Sequence, residues 1–270
     1  MENSGVELHE GILMGKFSGY LICTDYDGTF ATKGEPVPEN LDAVRYFTKN
    51  GGYFTIASGR MTNFLRERNV HTLINAPAAL CNGSLIYDYR SDKTLRKRFL
   101  SFSVGEFMNA VASSGYTMTG MNVFWDAENG SARYEDLEEM ARLHADTKAL
   151  KLLCRFPDGE TADAFRDYLV TQPISETCCI SKSWTLGVEI NPWDAAKGHA
   201  LDYIKGYLGD VHTTIGVGNY DNDLSLLEHA DIAAAPEGSL ESILPAADWI
   251  LKPCVEGAIC DLIEKLEKRL

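Results

Sequence analysis

No apolar run in this chain is long enough to cross a bilayer, which excludes a membrane-spanning helix and makes a membrane partner unexpected. Basic residues are also in short supply: 25 lysines and arginines stand against 39 aspartates and glutamates, for a net charge of −14. That balance repels nucleic acid phosphates over most of the surface and argues against a nucleic acid partner. A small phosphorylated ligand stays compatible with it, because one local cation outweighs a distant screened field. There is no CxxC among the seven cysteines, and their odd number and apolar surroundings fit reduced core residues better than a disulfide framework. The six histidines show no ligand spacing, so zinc is not expected. Residues Met1 to Glu10 carry Glu2, Glu7 and Glu10 where a secretory leader has a basic and then an apolar stretch, so a cytoplasmic setting is expected. The first 18 residues have no clear periodicity and receive no assignment.

What the chain does have is an ordinary globular composition, 45% hydrophobic and 24% charged, with one conspicuous cluster. Asp25-Tyr26-Asp27-Gly28-Thr29 directly follows the apolar run Tyr20-Leu21-Ile22-Cys23. Two carboxylates two residues apart leave a buried strand and enter a glycine turn, where the backbone can bend both toward one ligand. Such a pair offers hard oxygen donors for Mg²⁺, a nucleophile and a general acid. The competing explanation is an aspartate-rich turn that only ends the strand.

The first third of the chain alternates strands and helices. A helix from Pro38 stops at Asn50-Gly51-Gly52, a strand covers 53–57, a helix begins near Met61, and a strand covers 78–81. The last third repeats the pattern: helices over 195–208, 223–230, 240–246 and 255–270, with strands over 213–217, 232–235 and 249–251. These segments predict an α/β fold whose parallel sheet presents functional groups at its carboxyl edge. The middle reads as paired strands over 85–89 and 94–100, helices over 103–114, 132–145 and 158–171, and strands over 116–125, 148–156, 176–181 and 184–190. It is expected to form an inserted α+β domain over 85–188, leaving a core of 1–84 and 189–270.

Three further stations carry chemical groups. Ser58-Gly59-Arg60 ends a strand and offers a hydroxyl and backbone N–H groups to phosphate, although Ser58 also suits a helix cap. Lys197 lies near a helix start, where a cation opposes the helix dipole unless it reaches an anion; a solvated surface lysine is the plain alternative. Gly218-Asn219-Tyr220-Asp221-Asn222-Asp223 joins a strand to a helix and reads as a metal or phosphate site, or as helix capping by Asp221 or Asn222.

These four stations, in this order, resemble the haloacid dehalogenase superfamily of phosphohydrolases, and its Cof-like branch with an inserted type IIB cap. Supporting stretches are Cys81-Asn82-Gly83-Ser84-Leu85-Ile86-Tyr87-Asp88 and Glu189-Ile190-Asn191-Pro192, similar to that branch's passages into and out of the cap. The resemblance implies a Rossmann-like core with helices on both faces, and a Mg²⁺-dependent phosphatase of a small phosphorylated metabolite such as a sugar phosphate. It implies that Asp25 attacks phosphorus and that Asp27 acts as general acid and base. The Tyr26 backbone N–H, Ser58, Gly59, Lys197 and Asn222 would bind phosphate, and Asp25, the Asp27 carbonyl, Asn219 and Asp223 would hold Mg²⁺. A phosphate-binding protein without turnover and a phosphomutase are the alternatives, and a monomer or weak homodimer is the expected state. One departure stands out: the family usually reads Gly-Asp-x-x-Asn-Asp where this chain has Asn219, one negative charge fewer beside the metal.

Overall fold

The structure is a computed structural model that describes residues 15–126 and 130–270. The expectation about a leader in Met1 to Glu10 lies outside the described residues, as do most of the unassigned first 18.

The chain opens with β1 (Tyr20–Thr24), a small hairpin of β2 (Ala31–Thr32) and β3 (Glu35–Pro36), and α1 (Pro38–Lys49). Next come β4 (Tyr53–Ile56), α2 (Thr62–Glu67), β5 (Ala78–Leu80), β6 (Leu85–Asp88) and β7 (Lys93–Lys97). The middle holds α3 (Val104–Val111), β8 (Gly120–Phe124), β9 (Ser131–Tyr134), α4 (Leu137–Leu143) and β10 (Lys151–Arg155). It continues through α5 (Gly159–Val170), β11 (Cys178–Trp184) and β12 (Gly187–Pro192). The chain then returns through α6 (Lys197–Leu208), β13 (Thr213–Val217), α7 (Leu224–His229), β14 (Ile232–Pro236), β15 (Trp249–Leu251) and α8 (Ala258–Glu267).

Five parallel strands run in the order β15-β14-β13-β1-β4. The continuous apolar reading of β1 follows from coverage on both faces. Leu21 and Cys23 pack into one apolar cluster with Leu201, Ile204 and Leu226 from α6 and α7. Ile22, between them, packs the other way with Val44, Phe47, Leu262 and Leu266 from α1 and α8. The period of two along the strand thus sorts side chains to opposite helical layers, and the expected α/β core with helices on both faces is what forms.

A second, antiparallel sheet runs β11-β12-β10-β8-β9, with α3 and α5 packed on a separate apolar cluster that includes Phe107, Val123, Leu152, Phe165 and Val188. β6 and β7 do not join it. They form a three-stranded antiparallel sheet with β5. Leu85, Tyr87 and Tyr89 accordingly pack in the cluster of the parallel sheet.

Two expected helices are corrected. The segment 132–145 begins as edge strand β9, paired to β8, and becomes helical only at Leu137, where the Asp136 carboxylate accepts from the N–H groups of Glu138 and Glu139. The capping aspartate sets the start of that helix. Over 240–246 there is only a 3₁₀ turn at Leu244–Ala246, because Pro245 lacks the N–H that a longer helix needs.

Candidate active site

Three parallel strands deliver the chemical groups to one edge of the sheet. Asp25 sits just beyond β1, its N–H still donating to Val217 O of β13 at 2.8 Å. Ser58 lies just beyond β4, its N–H donating to Ala79 O at 2.8 Å. Gly218 and Asn219 leave β13 beside them. Gly28 permits the turn: its φ is +86°, and a Cβ there would meet Asn219 Nδ2 at 2.5 Å.

Lys197 is fully buried at the first turn of α6, which rules out the solvated surface lysine. Its Nζ donates to Asp25 Oδ1 at 2.6 Å and to Asp223 Oδ1 at 2.5 Å. The other Asp223 oxygen accepts from the backbone N–H groups of Asn219 (2.8 Å) and Tyr220 (3.1 Å). Asp223, rather than Asp221 or Asn222, therefore accepts from the backbone of this turn, while Asp221 accepts from Ser242 Oγ at 2.9 Å. Burial, with the Asp223 charge second, pushes the Asp25 carboxyl up to about 7 against the pull of Lys197. Burial works against the Lys197 charge, but Asp223 and Asp25 outweigh it and hold the ammonium above its ordinary range. With both carboxylates ionised, one ammonium leaves a negative charge in excess, which a further cation would relieve.

Asp27 is held differently. Arg60 clasps it through Nε to Oδ2 at 2.9 Å and Nη2 to Oδ1 at 3.1 Å, with both side chains nearly half exposed (46% and 42%). Ser58 is buried and its Oγ accepts from the Arg60 N–H at 3.2 Å, while the cap of α2 is Met61. The Tyr26 ring is in the core, with its hydroxyl on Gly34 O at 3.0 Å, leaving only its backbone for the site. Asn219 Oδ1 accepts from Thr29 Oγ1 at 3.0 Å, which holds the amide against the Asp25 loop. Among the described residues no three His, Cys, Asp or Glu side chains converge as a metal cluster, in keeping with an amide at position 219.

The antiparallel sheet roofs this edge. Lys151 of β10 donates to Gly59 O at 2.7 Å and to Glu189 Oε1 at 3.0 Å, and both charged groups are buried. Asn82 Nδ2 donates to Glu189 Oε2 at 2.6 Å and to Asn191 Oδ1 at 3.1 Å, while its own oxygen accepts from Asn222 Nδ2 at 3.3 Å. A cavity of about 550 Å³ lies between roof and sheet edge, with Asp25, Asp27, Ser58 and Asn222 on one wall and Phe124, Arg155 and Trp184 on the other. The cysteines stand apart from this chemistry: burial pushes the Cys23 and Cys81 thiols up to about 12, where they are inert.

A family model described as haloacid dehalogenase-like hydrolase matches residues 22–263. The chain belongs to that family. Among curated relatives of this haloacid dehalogenase-like hydrolase is a Streptococcus pyogenes protein named "Putative phosphatase M6_Spy0533", 23% identical over 91% of this chain and 97% of its own length. Bacillus subtilis YkrA, named in the same way, is 22% identical over 91% and 97%. Among solved structures, the HAD subclass IIB sugar phosphatase BT4131 superposes with a TM-score of 0.75 at 18% identity, covering 92% of this chain and 99% of that one. A haloacid dehalogenase-like hydrolase from B. subtilis gives 0.75 at 19% identity, covering 91% and 99%.

The structure thus brings Asp25, Asp27, Ser58, Gly59, Lys197, Asn219, Asn222 and Asp223 to one sheet edge of the hydrolase. Sequence reasoning missed Arg60, Asn82, Lys151, Glu189 and Arg155. One of these had a signal: Glu189 is the lone charge inside an apolar strand, and a charge buried in such a setting needs a partner.

Proposed function

We propose that the protein is a phosphomonoester phosphatase working through an aspartyl-phosphate at Asp25. The observation that carries this is the buried Asp25-Lys197-Asp223 triad at the sheet edge, with Asp27 two residues on and Ser58 beside it. Lys197 fixes Asp25 Oδ1, and among the described residues no group holds Oδ2. Asp25 attacks phosphorus, forming a carboxyl oxygen–phosphorus bond as the ester oxygen–phosphorus bond breaks, and the leaving oxygen takes a proton from Asp27. Water then gives a proton to Asp27 and attacks phosphorus, breaking the bond to Asp25 and releasing inorganic phosphate.

Asp27 must leave Arg60 to take this role. A salt bridge this exposed is worth about 0–1 kcal/mol, so it opens readily when substrate arrives. In this reading the Ser58 hydroxyl, the backbone of Tyr26 and Gly59, Lys197 and the Asn222 amide supply fixed donors and positive charge to the phosphoryl oxygens. Mg²⁺ fits the donor set, which is all oxygen and carries excess negative charge: Asp25, the Asp27 carbonyl and the Asn219 amide would hold it, with Asp223 behind. Bound there, it would supply positive charge against the transferring phosphoryl group.

The antiparallel sheet serves as a cap that keeps bulk water from the pocket. We place its joints between Tyr89 and Leu100, where packing changes from one apolar cluster to the other, and after β12. Asp194 ties the crossing segments together, 2.7 Å from Arg98 and 3.5 Å from Arg96. A sugar phosphatase with the same fold supports a small polyol or sugar phosphate as substrate. Seven free thiols support a cytoplasmic setting, and a monomer or weak homodimer belongs to the same proposal.

The test is a panel of phosphomonoesters with Mg²⁺. Steady phosphate release that disappears in Asp25→Asn supports the proposal. Binding without release would make the protein a phosphate-ligand binder, and isomerised sugar phosphate without release would make it a phosphomutase.

A further inference from the structure

The roof of the pocket is built by alternation. Lys151, Leu153 and Arg155 occupy every second position of β10 and line the cavity, as do Asn122 and Phe124 of the neighbouring strand β8. Leu152, Cys154 and Val123, between them, pack into the cluster behind the sheet. The pocket face therefore carries two cations. Lys151 is neutralised by Glu189.

Arg155 is not neutralised. Its Nε donates to Asn122 Oδ1 at 2.8 Å, and its guanidinium lies 5.0 Å from the centroid of the Trp184 ring. Among the described residues it has no carboxylate partner. Arg60 shares the cavity and holds Asp27 in the free protein, and nearby Arg133 pairs with Glu135. Burial, and after it the charges of Arg133 and Arg60, lower the pKa of Arg155. Arg155 is only partly buried, so water solvates the guanidinium in the free protein, and its charge is available to an anionic ligand that enters the cavity. The cavity has room for such a ligand: about 550 Å³ lies within the roughly 300–1,000 Å³ of small-molecule sites and exceeds the needs of a phosphoryl group.

We propose that Arg155, with Asn122 and the face of Trp184, forms a subsite for a second anionic group on the substrate. That group is a carboxylate or a second phosphate, on a small molecule whose phosphomonoester sits at Asp25. A guanidinium whose Nε is already committed to Asn122 keeps its two terminal nitrogens for a pair of anionic oxygens, and the indole face orients it. This rests on the phosphatase reading above and narrows it to phosphorylated acids or bisphosphates.

The experiment compares matched pairs: phosphoglycerate with glycerol phosphate, and phosphogluconate with glucitol phosphate. The wild-type protein should favour each acid over its alcohol by about 10–100-fold in kcat/KM, the range of a charge-assisted hydrogen bond. Arg155→Gln should erase that preference chiefly through KM. Arg155→Lys should keep part of it, because the charge stays while the planar fork is lost. Arg155→Lys also supplies the reading if Arg155→Gln does not fold. A purely structural Arg155 would lower both members of a pair equally, and that result would overturn the subsite while leaving the phosphatase reading intact. Calorimetry on Asp25→Asn separates the two proposals from the other side. Tighter binding of the acid there, in a protein whose wild type hydrolyses nothing, supports the subsite and sinks the phosphatase reading. Equal binding of acid and alcohol, or binding of neither acid, overturns the subsite.

Discussion

The two walls of the pocket are charged in different ways. On the parallel-sheet side, Lys197 is shared between Asp25 and Asp223, Arg60 holds Asp27, and backbone N–H groups occupy the remaining Asp223 oxygen. On the antiparallel-sheet side, the Lys151–Glu189 pair is closed, but Arg155 faces the cavity with only an amide and an indole for company. A wall whose buried charges, Asp25, Lys197 and Asp223, are already arranged suits chemistry, which needs fixed groups at the reacting centre, with only the exposed Arg60–Asp27 pair left to open. A wall with a spare cation suits selection, because its charge is completed only by the right ligand.

Asp25→Asn is the strongest way to break this division. It keeps the shape of the pocket but removes the proposed nucleophile, and kcat should fall by about 10⁴-fold or more for every substrate. Phosphate release by the purified variant checks it, and a loss confined to some substrates would place the chemistry elsewhere. Asp27→Asn should be graded instead: roughly 10²–10⁴-fold for alkyl phosphates, and less for aryl phosphates whose leaving oxygen needs little protonation. A leaving-group series measures this, and equal losses along the series would remove Asp27 as the acid.

How much of these walls was legible in the sequence differed in the same way. The parallel-sheet wall lies at strand ends whose apolar runs are uninterrupted, so Asp25, Ser58 and Asn219 could be placed from local patterns. Lys197 was legible because a cation at a helix start is out of place. Arg60 stood in the right motif, yet its partner Asp27 is 33 residues away, a pairing that no local pattern encodes. The roof was harder still. Arg155, Asn122 and Trp184 come from three strands, and which side of a strand faces the cavity depends on a register that turn chemistry sets. Strand β9 was mistaken for helix because a four-residue edge strand carries too little pattern to outweigh the helical segment after it.

The closed pair in the roof gives the next prediction. Lys151→Met leaves Glu189 buried without its cation and should cost about 3–5 kcal/mol of stability in urea unfolding. Adding Glu189→Gln should recover much of the loss, and no recovery would mean that the Lys151 contact to Gly59 O matters more than the pair. Acid should act through the same group. Burial raises the Glu189 carboxyl, but Lys151 and hydrogen bonds outweigh it and hold the group below its ordinary range. Its stabilisation is therefore complete above about pH 4.3 and is lost as pH falls through the lower folded value. Glu189→Gln should flatten that limb of the stability profile.

The smallest effect is expected at Asn219. Asn219→Asp adds a carboxylate beside the proposed Mg²⁺ donors, and Mg²⁺ affinity measured calorimetrically without substrate should tighten by about tenfold. Unchanged or weaker binding would mean that Asp221 or Asp223 already supplies the charge.

The account turns on Asp25 carrying the phosphoryl group. The direct measurement is acid quench of the enzyme during turnover of a good substrate, followed by peptide mass spectrometry. A hydroxylamine-labile phosphoryl group on the peptide that contains Asp25, absent from Asp25→Asn, is the predicted result. Turnover with that peptide unmodified, or with the phosphoryl group on another residue, would contradict it.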